Sequence, residues 1–210
     1  MKILNIRELK LPAVKVITFA RFRDHRGYFA EHFRRSDFRG EAVAAFLPEP
    51  EFVQANESFS KAGTIRGLHF QWSPLTGKLV RTVYGHMIDM VLDIRIGSPD
   101  FGRIIAHNMP SNRNEDTAEW IWVPPGFAHG NIFSEDTVIE YFCTGEHNPD
   151  CEGVIAPLAS DLDWSFCDPD LKDTFDSISA QTELMTEKDK TGLSVAAWKK
   201  DPRSANLIYY

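Results

Sequence analysis

The middle of the chain is a succession of short apolar segments, EFVQANES, TIRGLHFQ, KLVRTVYG, HMIDMVLDIR, GRIIAHNM, EWIWVPP and TVIEYFCT, cut apart by SPLTG, GSPDFG, PSNRN and PPG. Segments this short do not make helices of ordinary length, and the proline and glycine between them impose frequent reversals of direction. In HMIDMVLDIR, Ile88, Met90, Leu92 and Ile94 alternate with Asp89, Val91, Asp93 and Arg95, which is the period of a strand. One face of it is apolar and the other carries charge. So many short strands at this spacing pack as a sandwich or a barrel, and the expected class is all-β.

The flanks differ. RSDFRGEAVAAF near the start and TGLSVAAWKKD near the end each have the spacing of a short amphipathic helix, and ELMTEKDK adds one more turn. Beyond about residue 150 the apolar alternation weakens, and CDPDLKDTFDSIS is expected as a surface excursion in a segment that wraps the core from about residue 165. A chain of 210 residues, 43% hydrophobic, can bury one sizeable core, so a single domain over 1–210 is expected. The opening MKILNIRELKLPAVK carries charges where a secretion signal needs an unbroken apolar stretch, and no run approaches the roughly 20 apolar residues that cross a bilayer. Cys143, Cys151 and Cys167 have neither metal-site spacing nor the density of a disulfide framework. All are expected as free thiols, Cys143 as a structural one, in a cytoplasmic protein without a membrane partner. A net charge of −7 argues against nucleic acid, which needs a broad basic surface. A small anion needs only a local basic pocket, for which Arg21, Arg23, Arg26, Arg66, Lys78 and Arg81 are candidates.

Two segments concentrate chemistry. RGLHF places Arg66, Gly67 and His69 on one strand, where pleat alternation aims Arg66 and His69 at opposite faces. They line one cavity only if Gly67 marks a bulge or bend. VPPGFAHG has the pattern P-x-G-x-x-H, with Pro124, Gly126 and His129, and resembles the second motif of the cupin barrels, many of which bind a metal. The first cupin motif supplies two histidines one residue apart and then a glutamate. Here Phe70, Gln71 and Trp72 follow His69, so the ligand set is short and a metal-free site is expected.

Together, FRDHRGYFAEHF, FVQANESFSKAGTIRGLHFQ, TGKLVRTVYGHMIDMVLDIRIGSPDFG, WVPPGFAHG and EYFCTGEHNPDCEGVI resemble the dTDP-4-dehydrorhamnose 3,5-epimerase family in order and spacing, from about residue 15 to 165. The resemblance implies a cupin-like jelly-roll β-barrel with short flanking helices and an epimerase that needs no cofactor. Its substrate would be a nucleotide-linked 4-keto-6-deoxy sugar carried on dTDP, inverted at carbon 3, with carbon 5 as a second candidate centre. His69 then matches the base, Lys78 the group facing the developing oxyanion, Tyr141 the acid across the ring, and Asp189 in LMTEKDK the carboxylate that orients the base. Arg26, Tyr28, Glu31, Gln54, Asn56, Arg66 and His129 fall on substrate-binding positions. A homodimer is implied as well, in which a crossing N-terminal strand brings Arg26 and Glu31 to the neighbour's pocket.

The chemistry is sensible on its own terms. A carbon acid beside a ketone is weak, so its removal needs a placed base and a partner for the enolate oxygen, and an ordinary imidazole, with a pKa of about 6.5, is mostly neutral near pH 7. Guanidinium groups suit a diphosphate. Without the resemblance, Tyr141 reads as an ordinary strand aromatic, RFRDHRG as a solvated turn, and Asp89 as a local hydrogen-bonding group. A 3,4-keto-isomerase on the same substrate class and a non-catalytic sugar-nucleotide-binding cupin are the alternatives; the pair His69 and Lys78 favours the epimerase. Departures from the family pattern are His86 for a usual glutamate, Glu146 and His147 for usual aromatics, and Ser165 for proline.

Overall fold

The computed structural model describes residues 1–47 and 51–209. β1 (Ile3–Glu8) and β2 (Lys15–Ala20) lead into a small hairpin of β3 (Phe22–Asp24) and β4 (Gly27–Phe29). The central segments then form β5 (Gln54–Ser60), β6 (Ile65–Gln71), β7 (Lys78–Tyr84), β8 (His86–Asp93), β9 (Ile104–Pro110) and β10 (Thr117–Val123). After them come β11 (Phe127–Phe133), β12 (Thr137–Cys143) and the short β13 (Glu152–Val154). One antiparallel sheet has the order β1-β2-β10-β7-β12-β5 and the other β13-β6-β11-β8-β9. From β5 to β12 the chain passes back and forth between the sheets, with only β8 and β9 consecutive in one of them. This is a cupin-like jelly roll whose two sheets face each other without closing into one continuous barrel.

Three apolar layers hold it together. Between the sheets lie Val80, Met87, Val91, Ile121, Phe127 and Phe133. On the outer face of the five-stranded sheet, Ile88, Met90 and Leu92 pack against Phe175, Val195 and Trp198 from the C-terminal segment. On the outer face of the six-stranded sheet, Phe19, Leu79 and Trp120 are covered by Phe38, Val43 and Leu47. β8 is therefore buried on both faces: its alternation separates an outer apolar layer from an interior row in which Asp89 and Asp93 are wholly buried. Each carboxylate is held by hydrogen bonds, Asp93 by Arg95 and Ser98 and Asp89 by residues of the site below, which burial of a charge requires.

The expected N-terminal helix is split into two single turns, α1 (Arg35–Phe38) and α2 (Glu41–Ala44), because Gly40 adopts extended backbone between them. α3 (Pro169–Ser179) corrects the expectation of a plain surface excursion. Asp168 caps it by accepting the Asp170 N–H, Pro169 opens it, and Leu171, Phe175 and Ile178 make a face that packs on the five-stranded sheet. α4 (Glu187–Lys190) and α5 (Val195–Lys200) fall where expected. No helix among the described residues is long and apolar enough to cross a membrane.

Candidate active site

The site begins with a slip in strand pairing. On β11, His129 faces His69 and Asn131 faces Arg66, so β6 advances three residues while β11 advances two. The extra residue is the bulge anticipated at Gly67, which has φ +105°. A Cβ on Gly67 would lie 2.6 Å from the Gly130 Cα, and one on Gly130 would lie 2.5 Å from the Arg66 carbonyl oxygen. The two strands touch here because both residues are glycine. The result is that Arg66 and His69, which a regular pleat would separate, line the same cleft.

His69 is held from behind. Its Nε2 is 2.7 Å from Oδ1 of Asp189, which α4 presents and which is 2% exposed. Thr186 caps α4 by accepting the Asp189 N–H. Burial by itself would raise the Asp189 carboxyl, but the hydrogen bond and charge of His69, with help from Thr186 and the Gly67 N–H, hold it below the usual carboxylate range. An ionised Asp189 accepts the Nε2–H and leaves Nδ1 as the basic nitrogen of the neutral ring.

The facing six-stranded sheet supplies two rows of side chains. Gln54, Cys143 and Lys78 are register partners across β5, β12 and β7, and Asn56, Tyr141 and Val80 form the next row. Gln54, Asn56, Lys78 and Tyr141 line a cavity of about 370 Å³ with His69 and His129. Burial lowers the Lys78 ammonium below the usual lysine range, although the charges of Cys143, Glu152 and Asp89 resist it. Burial also raises the Tyr141 phenol, with Cys143 and Glu152 adding to the effect and Arg66 opposing it. The cleft thus offers an acceptor on one sheet and, on the other, a phenol and a lysine amine.

A second histidine–carboxylate pair lies beside the first. His129 Nε2 is 2.7 Å from Asp89 Oδ2, which also accepts the Asn131 amide at 3.0 Å. His69 and His129 are each hydrogen-bonded through Nε2 to a carboxylate. Among the described residues no group of three or more His, Cys, Asp or Glu is arranged to hold a metal ion.

The remaining expected residues divide into two sets. Arg66 reaches the cleft margin, where its guanidinium donates to Ser60 Oγ at 2.8 Å and to the Phe59 carbonyl at 3.1 Å. Arg26, Tyr28 and Glu31 do not reach the cleft of their own chain. Arg26 pairs with Asp24 at the tip of the β3–β4 hairpin, Tyr28 lies under the Arg21 guanidinium at 4.6 Å, and Glu31 pairs with Arg34 and the N-terminal amine. Gln71, Thr76, Cys143, His147 and Glu152 also line the cavity. Of these, His147 stands out in sequence only as a departure from a family pattern, and Cys143 only as a structural thiol.

A family model described as dTDP-4-dehydrorhamnose 3,5-epimerase matches residues 8–197. The chain belongs to that family. It is 40% identical over 145 residues to the dTDP-4-dehydrorhamnose 3,5-epimerase of Sinorhizobium fredii, covering 68% of this chain and 70% of that one. The crystal structure of a dTDP-6-deoxy-D-glucose-3,5-epimerase from Legionella pneumophila, in complex with dTDP-4-keto-L-rhamnose, superposes with a TM-score of 0.77 at 29% identity, over 98% of each chain. A 3'-monoepimerase from Streptomyces bikiniensis, in complex with dTDP-quinovose, gives 0.70 at 26% identity over 100% of this chain and 93% of that one. The chain is thus similar both to enzymes named for two centres and to one named for a single centre.

Proposed function

We propose that this protein is an epimerase that inverts carbon 3 of a dTDP-linked 4-keto-6-deoxy sugar. One observation carries the proposal: His69 backed by Asp189 on one sheet and Tyr141 on the facing sheet line a single cleft, with Lys78 beside them. His69 Nδ1 takes the proton from carbon 3, and the electron pair moves through the new C3–C4 double bond onto the ketone oxygen. Lys78 stabilises that oxyanion as an ammonium. Tyr141 returns a proton to the opposite face of carbon 3, the carbonyl re-forms, and solvent takes the extra proton from the imidazolium and gives one back to the phenolate. Arg66, Gln54, Asn56 and His129 hold the nucleotide-linked substrate from the cleft margin.

Carbon 5 is the second centre, and inversion there requires the sugar to present another carbon to the same base. Glu146 and His147 follow Tyr141 where the family has aromatics, and His147 lines the cavity. The smaller, polar pair grips the ring less firmly, so carbon 3 exchanges faster than carbon 5.

The working unit in this proposal is a homodimer. The hairpin exposes Phe22, Tyr28 and Phe29, while the outer face of the six-stranded sheet exposes Phe59 and Tyr84, whose register partner on β12 is the same Val138. A second copy that laid its hairpin on that face would cover both apolar patches and would deliver Arg26, Tyr28 and Glu31 to a cleft other than their own. The free thiols of Cys143, Cys151 and Cys167 suit a reducing cytoplasm.

The test is incubation with a panel of nucleotide-linked 4-keto sugars in heavy water, with each ring proton followed by NMR. Deuterium entering at carbon 3 of a dTDP-linked substrate, with inversion, supports the proposal. Binding without exchange would make the protein a sugar-nucleotide-binding cupin, and movement of the carbonyl would make it a keto-isomerase.

A further inference from the structure

Residues 145–148, of which Gly145 and His147 line the cavity, are fastened through their backbone to two glutamines, one from each sheet. Gln54 on β5 accepts the His147 N–H at 2.8 Å. Gln71, the last residue of β6, accepts the Asn148 N–H at 2.8 Å, and its amide N–H groups are shared among the Glu146 carbonyl at 3.0 Å, the Pro74 carbonyl at 2.9 Å and Thr76 Oγ1 at 2.9 Å. Asn148 in turn donates to the Ser73 carbonyl at 2.9 Å. The contact between residues 145–148 and the 73–76 loop is close: a Cβ on Gly145 would lie 2.6 Å from Thr76 Oγ1 and 2.8 Å from Pro74 Cγ. His147 faces the cavity from this fastened segment, and its Nε2 lies 3.7 Å from a carboxylate oxygen of Glu152, the first residue of β13.

We infer that Gln71 is a positioning residue for the epimerisation site, fixing residues 145–148 so that His147 holds its place beside the sugar. The inference rests on the proposed epimerase activity. A single primary amide satisfies a donor and an acceptor of one segment at the same time, which no apolar or purely acidic side chain of that size does. Gln71 touches neither His69 nor Tyr141 by hydrogen bond, so its effect belongs to substrate placement and not to proton transfer. Loss of the clamp leaves the Asn148 N–H and the Glu146 carbonyl to find water, and the segment gains freedom at the point where the sugar must be gripped.

The experiment compares Gln71→Leu and Gln71→Glu with the wild-type protein. Gln71→Leu is expected to raise KM for the dTDP-4-keto sugar about three- to tenfold, the scale of one or two lost hydrogen bonds, with kcat for carbon 3 exchange changed less than about threefold. The ratio of carbon 5 to carbon 3 deuterium exchange should shift, and the His147 ring-proton resonance, assigned through His147→Asn, should move or broaden. Gln71→Glu keeps the acceptor for Asn148 but sets a carboxylate oxygen against the Glu146 and Pro74 carbonyl oxygens, so its effects should lie in the same direction; it decides the matter if the leucine variant does not fold. A folded variant with unchanged KM, exchange ratio and His147 resonance overturns the inference, as does a loss confined to kcat. Absence of exchange in the wild type would instead overturn the epimerase proposal, and the His147 resonance would still report on the clamp.

Discussion

His69 has two ring nitrogens, and in the proposed mechanism its hydrogen bond to Asp189 through Nε2 leaves Nδ1 to meet the substrate. Replacing His69 with Asn should lower kcat by about 10² to 10⁴, the scale of a lost general base, in a protein that still folds. Asp189→Asn leaves the shape but offers the imidazole an amide in place of an anion, so the wrong tautomer is tolerated and kcat should fall by up to about 10⁴ with KM little changed, measured by steady-state kinetics. Lys78 sets the alkaline side. Its ammonium must be charged to steady the enolate, and burial lowers its pKa, so kcat/KM should decline as pH rises through a value below the usual lysine pKa of about 10.4. Lys78→Arg, charged throughout that range, should lose this limb from its pH profile even if its absolute rate is lower. His69 and Lys78 stand out because each sits in a compact motif that carries the resemblance, whereas Asp189 lies beyond the resembling span of about 15 to 165. Gln71 and Glu152 do not stand out, since nothing local marks a strand-end glutamine as a clamp: its partners lie in segments distant in sequence.

At the level of elements, the expected strands formed because alternation is a local signal that tertiary packing reinforces. β11 is hard to read as a strand for a physical reason: every residue of FAHGNIF is buried, and its polar pair, His129 and Asn131, shares a face with Phe127 and Phe133, so no apolar–polar alternation appears. α3 was missed although its signal was local, an Asp-Pro start followed by apolar residues at helical spacing. Gly67 was the most informative single residue, since the requirement that Arg66 and His69 share a cavity dictates a bulge before any coordinates are known. Gly130 was not foreseen, because close approach is a property of two strands together. Gly130→Ala should cost about 1–3 kcal/mol through overpacking against the Arg66 carbonyl, lowering Tm by about 2–4 °C per kcal/mol in calorimetry. Gly67→Ala adds the cost of a positive φ and should lose more, with activity falling further than stability as His69 leaves its place.

For the whole molecule, the distribution of expected residues is itself informative: those of the two sheets converge on one cleft, and those of the β3–β4 hairpin point away from it. If the hairpin serves a partner, mixing inactive His69→Asn with weakened Arg26→Ala should restore activity, because mixed dimers contain one cleft with both an intact base and an intact arm, roughly a quarter of all sites after random exchange. No gain on mixing would mean that Arg26 does not act across subunits. Chelator treatment should leave the rate unchanged, as His69 and His129 already bind carboxylates. The resemblance gave the chemistry, while composition and alternation gave only the sheet architecture. That two carbons of the sugar can meet the same base is a matter of cleft shape, which emerges from packing and not from any motif. The central claim is that proton removal and proton return happen from opposite sheets, and Tyr141→Phe in heavy water tests it most directly. Deuterium should still enter at carbon 3 through the enolate formed by His69, while net inversion falls by at least about 10², since the opposite-face donor is gone. Inversion at the wild-type rate in the Tyr141→Phe protein would contradict the claim.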